Sequence, residues 1–219
     1  MSIRFNVPDC LFLLIEMGWG KDGPGTNLSF VKSFKTAGHH ASTRAMLRRA
    51  DMARLRLAES LSSAGKNRYD NVITGSRDYL PLIHQVLASC KAYPDGAVLD
   101  EKLVFEWSSG VEKSKASTNK KSRYSKSEAL MYELIMVIVS ESLAHAGMGC
   151  DATTNGKFPI ASKSFKISAG IFDFLAKVQL PKWVTRGESV TEKDLPAECS
   201  VGVCEAMKFL FLGIAQVRK

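Results

Sequence analysis

Cysteine is too scarce and too scattered in this chain to build a disulfide framework. The five residues, Cys10, Cys90, Cys150, Cys199 and Cys204, are odd in number and widely spaced, which predicts a reducing, intracellular setting. The N-terminal apolar run, Cys10 to Ile15, falls far short of the roughly 20 residues a membrane helix needs, and no signal-peptide cleavage site follows it. No membrane span is expected. Ser2 and the Val217-Arg218-Lys219 end also lack the glycine and cysteine that lipidation requires, so membrane contact would come through a surface or a partner. Acidic residues are the minority charge, 22 against 30 lysines and arginines, and the net charge of +8 favours an acidic partner: nucleic acid, anionic membrane or acidic protein segment.

What is present describes one globular domain, since 219 residues with 45% apolar content can bury a sizeable core. Residues 1 to 41 read as a divergent N-terminal segment, in which an apolar run passes into the glycine-rich GWGKDGPG and looks like an appendage. From residue 42 onward the spacing is helical. Ser42 to Ser63 places Ala45, Met46, Arg49, Met52, Ala53, Leu57 and Leu61 near one helical stripe, and Tyr69 to Lys91 keeps the period through Val72, Ile73, Tyr79, Leu80, Ile83, Val86 and Leu87, as one helix or as two broken at Pro81. Val104, Phe105 and Trp107 cluster before the polar run EKSKASTNKKSRYSKS, which reads as a linker.

Ser127 reads as the cap of a long helix from Glu128 to Ala146, ended by Gly147 and apolar on nearly every face. Ser162 to Leu180 predicts a helix closed by Pro181, packed against the previous one. After a polar loop from Lys182 to Asp194, Pro196 opens a last helix carrying Val203, Met207, Leu210, Phe211 and Ile214. The fold class expected is mainly α: stacked antiparallel helices with a repeat-like core and a short β-hairpin near the N-terminus.

The motifs that mimic catalysis lack their context. Gly18-Trp19-Gly20-Lys21-Asp22-Gly23 matches a dinucleotide fingerprint, but Pro24 and Gly25 stop a helix opening there and no acidic residue lies about 20 positions on. His39-His40 and Cys199/Cys204 lack the paired short spacings of structural zinc. Cys150 beside Asp151, with His145 upstream, has no oxyanion loop near it in sequence. We therefore expect a binding protein without cofactor or metal, not an enzyme.

Tyr132-Glu133 in the long buried helix, then Ala169-Gly170-Ile171-Phe172 with Leu175, then Leu212 and Ala215-Gln216, occur in an order that resembles the Bro domain of Alix-like endosomal adaptors. Phe105, Trp107 and Tyr79-Leu80-Pro81 upstream extend the resemblance over residues 40 to 216. The family often places asparagine seven residues after its aromatic-Glu pair; here Ser140 stands there, which implies a divergent, plant-type branch. The resemblance implies a boomerang-shaped helical stack over residues 42 to 219 that binds the C-terminal amphipathic helix of an ESCRT-III core subunit, in a cytoplasmic protein peripherally associated with endosomes. Because much of the family's contact patch follows the Ala-Gln pair, the chain is expected to be a truncated Bro domain with an exposed apolar last helix. The partner-binding residues expected are Val137, Ile138, Phe209 and Leu212. The run carrying Lys113, Lys115, Lys120 and Lys121 is the candidate membrane surface, at about 1 kcal/mol per charge near anionic lipid. The competing readings are a basic helical nucleic-acid-binding protein, for which that run has few stacking aromatics, and a truncated form with little activity of its own.

Overall fold

The computed structural model describes residues 17, 19–20, 23–24, 28–35, 39–63, 68–94, 98–111, 124–184 and 195–217. Five helices of 17 residues or more do most of the packing: α2 (Ala41–Ser62), α3 (Arg68–Ala92), α4 (Leu130–Thr154), α5 (Phe158–Phe174) and α7 (Val201–Val217). Shorter helices are α1 (Phe30–Ser33) and α6 (Leu180–Val184). Each long helix packs on the next in chain order. Neighbours run antiparallel, as paired residues show: Tyr69 faces Gly147 and Ser76 bonds Ser140 between α3 and α4, while Gly149 faces Phe165 and Ser142 bonds Ser168 between α4 and α5. The mainly α, stacked antiparallel architecture follows, with the short hairpin β1 (Trp19–Gly20) and β2 (Gly23–Pro24) near the N-terminus. The core crosses the expected boundary at residue 41, because Met17, Phe30 and Phe34 are buried in the same cluster as the helices.

Helix α4 is buried almost all round, as its sequence requires. By length and composition alone it could cross a membrane, yet 89% of its most apolar window lies inside the fold, the burial of a core helix. It does not stop at Gly147 but runs to Thr154. Gly147 and Gly149 serve close approach instead: a Cβ at Gly147 would collide with the Tyr69 ring, and one at Gly149 would come within 2.8 Å of Phe165 Cζ. The stop comes at Gly156, whose φ of 70° lies in the left-handed region open to glycine. Ser127 does not cap the helix either; its Oγ accepts from the Ala129 N–H in the turn before it. Gly149→Ala is expected to cost about 1–3 kcal/mol in urea denaturation, because Phe165 is fully buried and stacked on Phe211 and has nowhere to move. Gly170→Ala should be neutral or better, since a Cβ there meets nothing within 4 Å.

Of the two readings of Tyr69–Lys91 the single helix is the one found, and Pro181 does not close its helix as expected. Pro81 sits inside a single α3. Helix α5 starts at Phe158, earlier than predicted, with Pro159 in its first turn, and it passes into the π-helical turn Leu175–Gln179 and then α6. That turn, closed by the Leu180 N–H on the Leu175 carbonyl, stands just before Pro181 and widens the helix where the proline ring would crowd the carbonyl four residues back.

Residues 112–123 of the polar run read as a linker lie outside the described residues, and its end is a strand. That strand, β4 (Tyr124–Ser127), is paired antiparallel with β3 (Phe105–Ser108), so residues 109–123 connect two adjacent strands. Phe105 and Trp107 point into the core, and Lys126 on β4 pairs with Glu106 across the ladder.

Candidate docking groove and buried ionic network

Three helices contribute stripes of the same spacing to one groove. Arg77, Leu80, Pro81 and His84 come from α3, Leu134, Ile138 and Glu141 from α4, and Ile167, Gly170, Ile171 and Phe174 from α5, with Gln179 at the edge. Positions i, i+3, i+4 and i+7 lie on one helix face, so α3 and α5 each present one face to the groove, with α4 between them. The groove encloses about 570 Å³, within the range of ligand-binding clefts. Its lining is aliphatic and aromatic, and Phe174 is 42% exposed in it.

One end is polar. Arg77 Nε donates to Glu141 Oε1 at 2.8 Å, and Arg77 Nη2 lies 3.4 Å from His145 Nε2. The arginine side chain is 60% exposed while its partner carboxylate is 12% exposed, so an anchored guanidinium faces solvent at the groove mouth. Burial pushes the His145 imidazole below its ordinary value, helped by Arg77 and opposed by Glu141 and Asp70. The sign for stability follows: the unfolded chain takes up the proton first, so the stability held at neutral pH is lost as pH falls below about 6.5 and on through the lower folded value. A urea midpoint that declines over the mildly acid range, with the His145 ring titrating below its unfolded position by NMR, is the expected result; a flat midpoint there would contradict it.

The second polar cluster is entirely internal. Glu133, fully buried, accepts from Arg54 Nε at 2.7 Å, from the Tyr79 hydroxyl at 3.1 Å and from Trp107 Nε1 at 2.6 Å. One carboxylate thus ties α2, α3 and β3 to α4. Arg54 also lies 6.0 Å from the centroid of the Phe105 ring. Desolvation and the neighbouring Glu133 hold the Tyr79 hydroxyl well above its usual range, so it stays a donor. A third carboxylate, buried Glu198, accepts from the Ser109 hydroxyl and from the Gly110 and Val111 N–H groups, fixing the start of the 109–123 connection.

The expected site residues fall in different places. Ile138 lines the groove, although only 7% of it is exposed. Val137, one residue away, is fully buried, so it presents no surface to a partner; the 100° step between adjacent helical positions turns it into the core. Phe209 is 65% exposed and Leu212 half-buried on α7. Lys113, Lys115, Lys120 and Lys121 lie outside the described residues. Arg77, His84 and Phe174 were not singled out by sequence reasoning, and Ile167 was read only as part of the packing stripe of its helix; the matching i, i+3, i+4, i+7 stripes on α3 and α5 are the signal that contains them. Gly170 faces open groove, where a Cβ would meet nothing within 4 Å, whereas Phe172 and Leu175 are buried.

Cys199, Cys204 and His145, among the features that mimicked chemistry, have structural partners, while Gly18, Lys21 and Asp22 of the glycine-rich fingerprint lie outside the described residues. Cys204 Sγ donates to the Glu198 carbonyl and Cys199 contacts Met136 Sδ, and burial raises both thiols, Cys204 to about 12. His145 Nε2 faces Arg77 and Glu141. Among the described residues no group of three His, Cys, Asp or Glu is placed to hold a metal. Comparison with known family models, with curated proteins and with solved structures finds no match to this chain.

Proposed function

We propose that this protein is a non-enzymatic adaptor that docks an amphipathic helix of a partner protein in the α3–α4–α5 groove. The observation that carries the reading is the groove itself: two walls with helical spacing, an apolar floor, and Arg77 held at one end by Glu141. A helix in such a groove buries its own i, i+3, i+4, i+7 apolar stripe, and a carboxylate at the end of that stripe meets the guanidinium. The partner we propose is the C-terminal helix of an ESCRT-III core subunit, as the resemblance to Bro domains implies, with a place at the cytoplasmic face of endosomes. Phe209 and Leu212 are proposed as a flanking contact. Lys208 lies 5.0 Å from the centroid of the Phe209 ring and pairs with Asp173, the chain neighbour of Phe174, so α7 borders the same edge of α5.

Titrating the full chain with a fluorescent peptide of that C-terminal helix tests the proposal. Saturable one-to-one binding that weakens in Phe174→Ser is expected. No saturable binding, or binding indifferent to Phe174, would remove the support.

A further inference from the structure

The outward face of α2 carries a cationic surface that the groove does not use. Along the exposed side of Ala41–Ser62 stand Arg44, Arg48, Arg49 and Arg56. At 3.6 residues per turn, Met52 falls at the centre of that side, with Arg48 and Arg56 one turn before and after it and Arg49 alongside. Met52 is 52% exposed. The stripe predicted from sequence had placed Ala45, Arg49 and Met52 with the apolar residues; the buried face is instead Leu47, Ala50, Arg54, Leu57 and Leu61, because Arg54 turns inward to Glu133.

The other arginines of the long helices are engaged: Arg54 with Glu133, Arg77 with Glu141, and Arg68 with the Leu61 carbonyl. By contrast, no described carboxylate pairs with Arg48, Arg49 or Arg56. Asp51 is turned away to the start of α1, where it accepts from the Ser29 hydroxyl and the Phe30 N–H, and Glu59 is the one acid on the exposed side. The result is a surface of three guanidiniums, Arg48, Arg49 and Arg56, with no carboxylate partner among the described residues and an apolar side chain at its centre. Guanidinium groups match phosphate in geometry as well as charge. The central methionine and the half-buried Leu55 beside it give the face an apolar component suited to the headgroup boundary of a bilayer. A single-stranded nucleic acid would call for stacking aromatics, and the exposed side of α2 has none.

We propose that the outer face of α2 is a docking surface for anionic phospholipid, with Arg48, Arg49 and Arg56 on lipid phosphates and Met52 at the interface. None of these residues lines the groove, so this inference and the adaptor reading fail or stand separately.

The test is sedimentation of the full chain with phosphatidylcholine vesicles containing about a third phosphatidylserine, against phosphatidylcholine alone. The parent is expected to sediment with the anionic vesicles only, and less so as salt is raised. Arg48→Gln, Arg49→Gln and Arg56→Gln together should weaken this about 100-fold, at roughly fivefold per charge, with helix content and groove-peptide affinity unchanged because glutamine keeps helix propensity. Met52→Ser should give a smaller loss. Equal sedimentation of the triple variant and the parent would overturn the proposal, as would a parent that ignores anionic vesicles. A triple variant that loses duplex DNA or RNA binding while keeping its vesicle binding would assign the surface to nucleic acid instead and overturn it as well.

Discussion

Glu133→Gln is expected to destabilise the fold by about 3–5 kcal/mol. The carboxylate is fully buried and Arg54 nearly so. Removing its charge leaves the guanidinium in the core with no described carboxylate but Asp51 acting on it, and Asp51 is itself held by Ser29 and Phe30. The amide keeps one acceptor oxygen where the carboxylate has two, and turns an N–H donor toward the three donors, from Arg54, Tyr79 and Trp107, that converge there. Urea denaturation followed by tryptophan fluorescence reads both consequences, since the Trp107 indole is one of the partners. Adding Arg54→Met to Glu133→Gln should recover part of that loss, because it removes the stranded guanidinium while the amide oxygen can still accept from the Tyr79 hydroxyl or the Trp107 indole. A loss below about 1 kcal/mol for Glu133→Gln would show that Arg54 finds other compensation.

The second large effect concerns the groove and separates binding from folding. Phe174→Ser should lower affinity for the amphipathic partner peptide by about 2 kcal/mol or more, a factor of about 30, with the melting temperature little changed, because Phe174 is 42% exposed and is the large apolar side chain that the groove lining presents to solvent. Val137→Asp should do the opposite: it places a carboxylate at a position with no exposed surface and should unfold the chain. Phe209→Ser on α7 is expected to cost about 1 kcal/mol of binding or less, as a flanking contact. If Phe209→Ser abolished binding while Phe174→Ser left it intact, the partner would seat on α7 and the groove assignment would be wrong.

Much of the fold was legible because helices with one buried face announce themselves. The near-continuous apolar content of α4 predicted burial all round, and α3 kept its period across Pro81. The misreadings share one cause, that local chemistry has two readings until a neighbour chooses. Gly147 reads as a stop and serves as a contact for Tyr69; Pro181 reads as a terminator and is accommodated by a π turn; Arg49 and Met52 read as part of the apolar stripe and face solvent. The basic run read as a linker because four-residue strands with polar outer faces carry almost no periodic signal.

The sequence by itself determined the helical class, the centrality of α4 and the excess of positive charge, because these follow from composition and period summed over many residues. Only the tertiary structure decided which arginines are spent inside and which face out, and that Leu80, Ile138 and Phe174, from three separate helices, line one groove. The physical reason is that a helix specifies which of its residues share a face but not what that face meets. Partner identity is set by antiparallel packing across pairs such as Ser76 with Ser140 and Ser142 with Ser168, contacts 64 and 26 residues apart along the chain.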